Sequence, residues 1–142
     1  MESIKEFIEK VLEDVSKFQR LDLGELSEKQ IAQINENLEI NLEGFKRVLD
    51  NSGVLHCFKE HGDKIKEEAR GQLAITKEDF EKIIDVVENP DKIQSLGKNR
   101  LGKEYDYILC YVESVRESKK KKRKELVLET LYKKKPSKRL KG

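Results

Sequence analysis

The chain is poor in several residue types, and each shortage closes a class of explanation. Its 142 residues include two cysteines, two histidines, two prolines and no tryptophan. Cys57 and Cys110 are too few for a disulfide framework and have no companions for a metal knuckle. They read as small half-buried thiols of a reducing compartment. No apolar run approaches the roughly 20 residues that a membrane span needs. The N-terminus, Met-Glu-Ser-Ile-Lys-Glu, lacks the basic start and apolar middle of a signal peptide. The expected location is therefore cytoplasmic, with a phage particle or a delivered toxin as the other settings. Apolar residues make up 36% of the chain against 41% charged, a thin supply for a core. The apolar positions are nevertheless periodic, which points to a folded protein rather than a disordered one.

A formal net charge of +2 hides a strong asymmetry. Residues 119–142 hold twelve Lys/Arg against two Glu, a net of +10, and the other 118 residues hold 18 basic against 26 acidic, a net of −8. A basic end of that density is an electrostatic footprint for a polyanion, above all nucleic acid.

Read in order, residues 3–19 carry an amphipathic helical stripe of Ile4, Phe7, Ile8, Val11, Leu12, Val15 and Phe18. Ser3 and Glu6 form its capping box. Residues 21–24 read as a break, and Ser27 with Gln30 opens a second helix to about Asn37. Residues 38–43 alternate like a half-buried strand, and Phe45 to Leu49 continue extended. Asn51 or Ser52 caps a helix that ends near His61, with Gly62 in the left-handed position that closes it. A loop runs to Gly71. Thr76 and Asp79 cap a further helix with the stripe Phe80, Ile83, Ile84 and Val87, stopped at Asn89-Pro90. Residues 93–98 suggest a short strand and 98–103 a turn. Residues 105–115 form a central strand, joined by a lysine-loaded loop to a partner strand over 126–132. That partner is expected to place Leu126, Leu128, Thr130 and Tyr132 on one face. Helices first and strands later make the class α+β, divided into an N-terminal helical segment (1–37), an α+β domain (38–135) and a basic flexible tail (136–142).

The chemistry gathers in residues 56–72, which contain both histidines. On an ideal helix His56 and His61 lie about 140° apart, so the pair cannot converge on one atom unless the helix unwinds. Zinc requires three or four ligands, and two more are not placed nearby. Cys57 points away from His56, which disfavours a Cys-His nucleophile. Metal-free RNA cleavage fits better: imidazoles serve as base and acid near neutral pH, and Arg or Lys steadies the developing phosphorane charge. Arg70 is close in sequence, and Thr130 and Tyr132 project together.

The ordered set His-x4-His-Gly (His56–Gly62), Arg-Gly-Gln (within Glu68–Gln72), Ile75-Thr76, Asn-Pro-Asp (within Glu88–Asp91) and Thr-x-Tyr (within Glu129–Lys133) resembles a phage-associated nuclease family. That family falls in the barnase, EndoU, colicin-D and RelE-like superfamily of small metal-independent RNases. The resemblance covers residues 42–135. It implies N-terminal helices packed on a four-stranded antiparallel sheet, and an RNase role in phage or toxin systems. It matches His56 and His61 to the family's histidines, Arg70 and Gln72 to its Arg-Gly-Gln element, and Thr130 and Tyr132 to its last-strand pair. The expected catalytic set is His56, His61, Arg70, Thr130 and Tyr132, with His56 preferred as the base and the other histidine as the acid or its orienter, and Gln72 is expected to hold substrate. Lys119, Lys120, Lys121, Lys122, Arg123, Lys124 and Lys133 are expected to hold substrate. No metal or cofactor is expected. The partners implied are RNA and a cognate antitoxin, immunity protein or phage structural protein. The alternative is a catalytically inactive nucleic-acid-binding or partner-docking module of the same fold.

Overall fold

Local capping chemistry decides where the first helix starts and stops. In the computed structural model, which describes residues 2–95 and 97–136, Ser3 Oγ accepts from the Glu6 amide and Glu6 Oε1 from the Ser3 amide, both at 3.1 Å. This box opens α1 (Ile4–Glu13). The helix ends well short of residue 19. Asp14 Oδ1 accepts from both the amide and the hydroxyl of Ser16, a local alternative to helical bonding. Only Phe7, Ile8 and Val11 of the expected stripe are buried; Val15 and Phe18 are 58% and 72% exposed.

The chain then forms β1 (Arg20–Glu25) where a break was expected. Leu21 pairs with Leu49, and the register slips between Asp22 and Glu25 around Gly24. The second helix, α2 (Glu28–Leu38), starts with the Ser27–Gln30 box and ends on left-handed Glu39. The alternating run 38–43 is therefore not a strand. Its Leu42, with Phe45, anchors a loop into a cluster with Leu26, Ile34 and Leu126. Alternation here reports hydrophobic anchoring rather than a hydrogen-bonded ladder.

β2 (Lys46–Asp50) leads directly into α3 (Asn51–His61). The cap is Asp50, whose Oδ1 accepts from the Gly53 amide at 2.7 Å. Asn51 instead accepts from the Gln19 amide. α3 lies hard against the last strand: a Cβ on Gly53 would sit 2.3 Å from the carbonyl oxygen of Leu128. Gly62 closes α3 in the right-handed region, at φ −91°, not the left-handed one. The stretch expected as a loop holds α4 (Lys64–Ala69), capped by Asp63 Oδ1 on the Ile65 and Lys66 amides. Gly71, at φ +75°, reverses the chain into β3 (Gln72–Leu73). The next helical stretch breaks in two, α5 (Lys77–Phe80) and α6 (Ile83–Glu88).

β4 (Lys92–Ser95) and β5 (Asn99–Glu104) pair antiparallel, so residues 98–103 are mostly strand rather than turn. β6 (Ile108–Ser118) and β7 (Arg123–Lys134) form a long hairpin. The fold is α+β, with a seven-stranded sheet in place of the expected four. Its order is β1-β2-β7-β6-β5-β4, with β3 added beside β7. It is also mixed, because β2 runs parallel to β7. Of the expected tail, residues 137–142 lie outside the described ones.

One irregularity in β7 controls which side chains share a face. Val112 pairs with Thr130, but Glu113 pairs with Leu128, leaving Glu129 as an extra, bulged residue. The bulge inverts the alternation. Leu128 and Leu131 both join the main core with Phe7, Val54, Phe80 and Tyr111. Tyr132 joins a separate small cluster with Cys110 and Val112 on the other face. Leu126 and Leu128 thus do not share a face with Thr130 and Tyr132.

A candidate active site beside Tyr132

Because strand partners fix faces, the neighbours of Tyr132 follow from register. Cys110 is its direct partner on β6, Val112 is the partner of Thr130, and Arg100 on β5 pairs with Val112. Arg100 Nη1 donates to Tyr132 Oη at 2.8 Å. From the other side of β7, the edge covered by α3, the His61 ring comes within 5.5 Å of the Tyr132 ring, centroid to centroid.

His61 is held from behind. Its Nδ1 is 3.2 Å from Glu67 Oε2, and Glu67 is fully buried in α4. The other Glu67 oxygen accepts from Arg70 Nη1 at 2.8 Å, and the same Nη1 donates to the Glu60 carbonyl at 2.9 Å. A carboxylate at Nδ1 keeps the proton on that nitrogen and leaves Nε2 as the imidazole's acceptor. Arg70 neutralises the buried carboxylate rather than standing free. The Arg-Gly-Gln turn then carries Gln72 onto β3, opposite Lys134 of β7.

Two buried polar atoms in this neighbourhood, Gln72 Oε1 and Arg100 Nε, have no hydrogen-bond partner, and the Thr130 hydroxyl lies against the Cys57 thiol. An unmet donor such as the Arg100 Nε–H is costly inside a protein and suits an oxygen-rich ligand, whereas the Gln72 oxygen calls for a donor. On the Arg100 side of Tyr132 a cavity of about 270 Å³ opens between Gln94, Arg100, Glu104, Cys110, Tyr132 and Lys134. The Tyr132 hydroxyl is pushed above its ordinary pKa by burial and by Cys110, with Arg100 pulling the other way. It is a proton donor at neutral pH. Burial pushes the Cys57 thiol, next to Thr130, up to about 12, so it holds no thiolate at neutral pH. Burial raises Cys110 as well.

The residues expected from sequence divide plainly. His61, Arg70, Gln72, Thr130 and Tyr132 are brought to one neighbourhood. His56 is exposed on α3, about 140° around the helix from His61, and makes no hydrogen bond or ion pair among the described residues. Lys133 points to the opposite face of β7 and pairs with Asp79 at 2.9 Å, at 13% side-chain exposure. Lys119–Lys122 form the hairpin tip between β6 and β7, with Arg123 and Lys124 at the start of β7. That tip is about 30 Å from Tyr132 at the usual rise of a strand.

Two residues went unrecognised in the sequence. Arg100 sat in an apparent turn flanked by Gly97 and Gly102, although Arg100-Leu101-Gly102 has the polar–apolar alternation of a strand. Glu67 was one acidic residue among many, and only burial distinguishes it from Glu68. Among the described residues no three His, Cys, Asp or Glu side chains are grouped to hold a metal, and no helix is long and apolar enough to cross a membrane.

The protein is thus α+β, with a carboxylate-backed histidine and an arginine–tyrosine pair at one end of its sheet. The chain belongs to the family described as phage-Barnase-EndoU-ColicinE5/D-RelE like nuclease3, which it matches over residues 25–141. Neither a curated protein nor a solved structure matches it. The family match begins ahead of α2 and so takes in more of the N-terminal part than the resemblance over 42–135 suggested. The protein is nuclease-like by family.

Proposed function

We propose that this protein is an endoribonuclease that cleaves by attack of the ribose 2′-hydroxyl on the adjacent phosphorus. The observation that carries the reading is the line Glu67–His61–Tyr132–Arg100. His61 Nε2 takes the 2′-hydroxyl proton, and Glu67 steadies the imidazolium that results. The O2′–P bond forms while the P–O5′ bond breaks. The protonated Tyr132 hydroxyl gives its proton to the departing oxygen, since its own oxygen already accepts from Arg100. Arg100 and the Thr130 hydroxyl meet the charge on the phosphorane oxygens. The products are a 2′,3′-cyclic phosphate and a free 5′-hydroxyl. In this reading the base is His61 rather than His56, a choice supported by the Glu67 carboxylate at His61 Nδ1.

Incubating the purified protein in EDTA with an RNA, and with the same strand lacking one 2′-hydroxyl, tests the chemistry. Cleavage of the first at the altered linkage, with a cyclic phosphate seen by mass spectrometry, and none of the second is expected. Equal cleavage of both, or a product carrying a 5′-phosphate, would contradict it.

A further inference from the structure

The basic hairpin stands too far from Tyr132 to help the chemistry directly, and its position has a consequence for the ligand. Glu125 is the organiser. Its carboxylate takes Arg20 from β1 and Arg123 from β7, the latter at 2.6 Å. Lys46 of β2 enters the same wall, paired with Asp22 at 2.7 Å. Together with Lys121, Lys122 and Lys124, these side chains line a cleft of about 480 Å³ that also contains Glu25 and Glu125. Six basic groups against two carboxylates leave +4, or +3 counting Asp22. Lys121, Lys122 and Lys124 are exposed and make no ion pair among the described residues.

Register shows where this cleft faces. Glu125 pairs with Arg116 on β6, and Arg116 has the parity of Val112 and Cys110, the partners of Thr130 and Tyr132. The Glu125–Arg123–Arg20 wall of the cleft therefore opens on the Tyr132 face of the sheet, while Lys124, paired with Glu117 and lying over Phe45, bounds the cleft from the other face. Between that wall and Tyr132 lie Arg116 and Lys98, each 3.5 Å from the bulged Glu129. One face thus carries positive charge from the hairpin tip through Arg116 and Lys98 to Arg100 and Lys134.

Charges about 30 Å apart do not act on one phosphate, because screening in physiological salt sets in within about 8 Å. They act on one long polyanion. We propose that this face is a track for an RNA strand, whose backbone is gripped in the Lys121–Lys122–Lys124 cleft while a phosphate about nine nucleotides away lies at Tyr132. That spacing follows from a stacked strand's roughly 3.4 Å per nucleotide. The proposal deepens the nuclease reading by naming its substrate class: polynucleotides long enough to reach both ends.

The test separates binding from turnover. Fluorescence anisotropy with the full chain uses 2′-O-methyl RNA, which lacks the attacking hydroxyl, as a 6-mer and a 20-mer. The 20-mer is expected to bind at least about tenfold more tightly, and K121E/K122E/K124E to flatten the salt slope by about two, near 0.7 per single-strand phosphate contact. Cleavable RNAs of the two lengths are then compared. The long-to-short ratio of kcat/KM is expected to exceed about tenfold, carried by KM, and to collapse in the triple variant. Equal binding of the 6-mer and 20-mer, or an unchanged salt slope in the variant, would overturn the track. So would polyglutamate of matched charge competing as well as RNA, which would make the cleft a seat for an acidic protein. Length-dependent binding with no cleavage would uphold the track and remove the nuclease reading.

Discussion

His61 presents Nε2 because Glu67 occupies Nδ1, and Glu67 tolerates full burial because Arg70 meets its other oxygen. Glu67→Gln weakens that support without emptying the space, and kcat is expected to fall about 10- to 100-fold, the usual cost of losing such a partner. Single-turnover rates check this, and an unchanged kcat would contradict it. Arg70→Ala strips the buried carboxylate of its neutralising partner, so its first effect is expected on stability, read as a lower urea midpoint. A second residue-scale expectation concerns acid. Burial alone would raise the Glu125 pKa, but bonds from Arg123 and Arg20 outweigh it and the net shift is downward from 4.5. A carboxyl depressed in the folded state adds stability above its unfolded pKa and loses it as pH falls through the folded value. Asp22 is depressed in the same way, mainly by Lys46. Thermal melts are expected to drop as pH falls below about 4.5, and Glu125→Gln to reduce that drop. A drop of the same size in the variant would contradict the assignment.

At the scale of elements, α3 and β7 set the geometry. The Gly53 Cβ position lies 2.3 Å from the Leu128 carbonyl oxygen, so α3 is as close to β7 as a backbone without side chain allows. Glycine to alanine within a helix ordinarily stabilises by about 1 kcal/mol. Here Gly53→Ala is expected to destabilise by roughly 1–3 kcal/mol through overpacking. A raised urea midpoint for that variant would contradict the close approach. The same two elements show what was legible in the sequence. Capping boxes at Ser3 and Ser27, the helix ending at His61 and the paired long strands could be read because each is written in local chemistry. β1 and β5 could not: they are short, polar and interrupted by Gly24 and Gly102, and the pairing that makes them strands comes from distant residues. The Glu129 bulge leaves no mark in composition, yet it alone puts Thr130 and Tyr132 on the face opposite Leu128. Arg100 was missed for the same reason, since its neighbour Val112 is supplied by register across strands. Five of the residues gathered around Tyr132 were legible as types in a motif. Their grouping, and the separation of His56 from it, required the fold.

At the scale of the molecule, charge and fold are aligned along the sheet. The net +10 of residues 119–142 includes the hairpin cleft at one end of the sheet, while the family match over residues 25–141 takes in both ends. Binding to RNA is expected to weaken steeply with salt, and the slope to depend on the hairpin lysines rather than on His61, the base in the proposed reaction. The central claim is that the reaction belongs to His61 and not to the other histidine. The most direct measurement is single-turnover cleavage of one RNA by the wild type, His61→Ala and His56→Ala, each with its circular dichroism spectrum as a check on folding. His61→Ala is expected to lose about 100- to 10,000-fold, the usual range for a general base, and His56→Ala to keep most of its activity. Activity retained in a folded His61→Ala protein, and lost in His56→Ala, would contradict the claim.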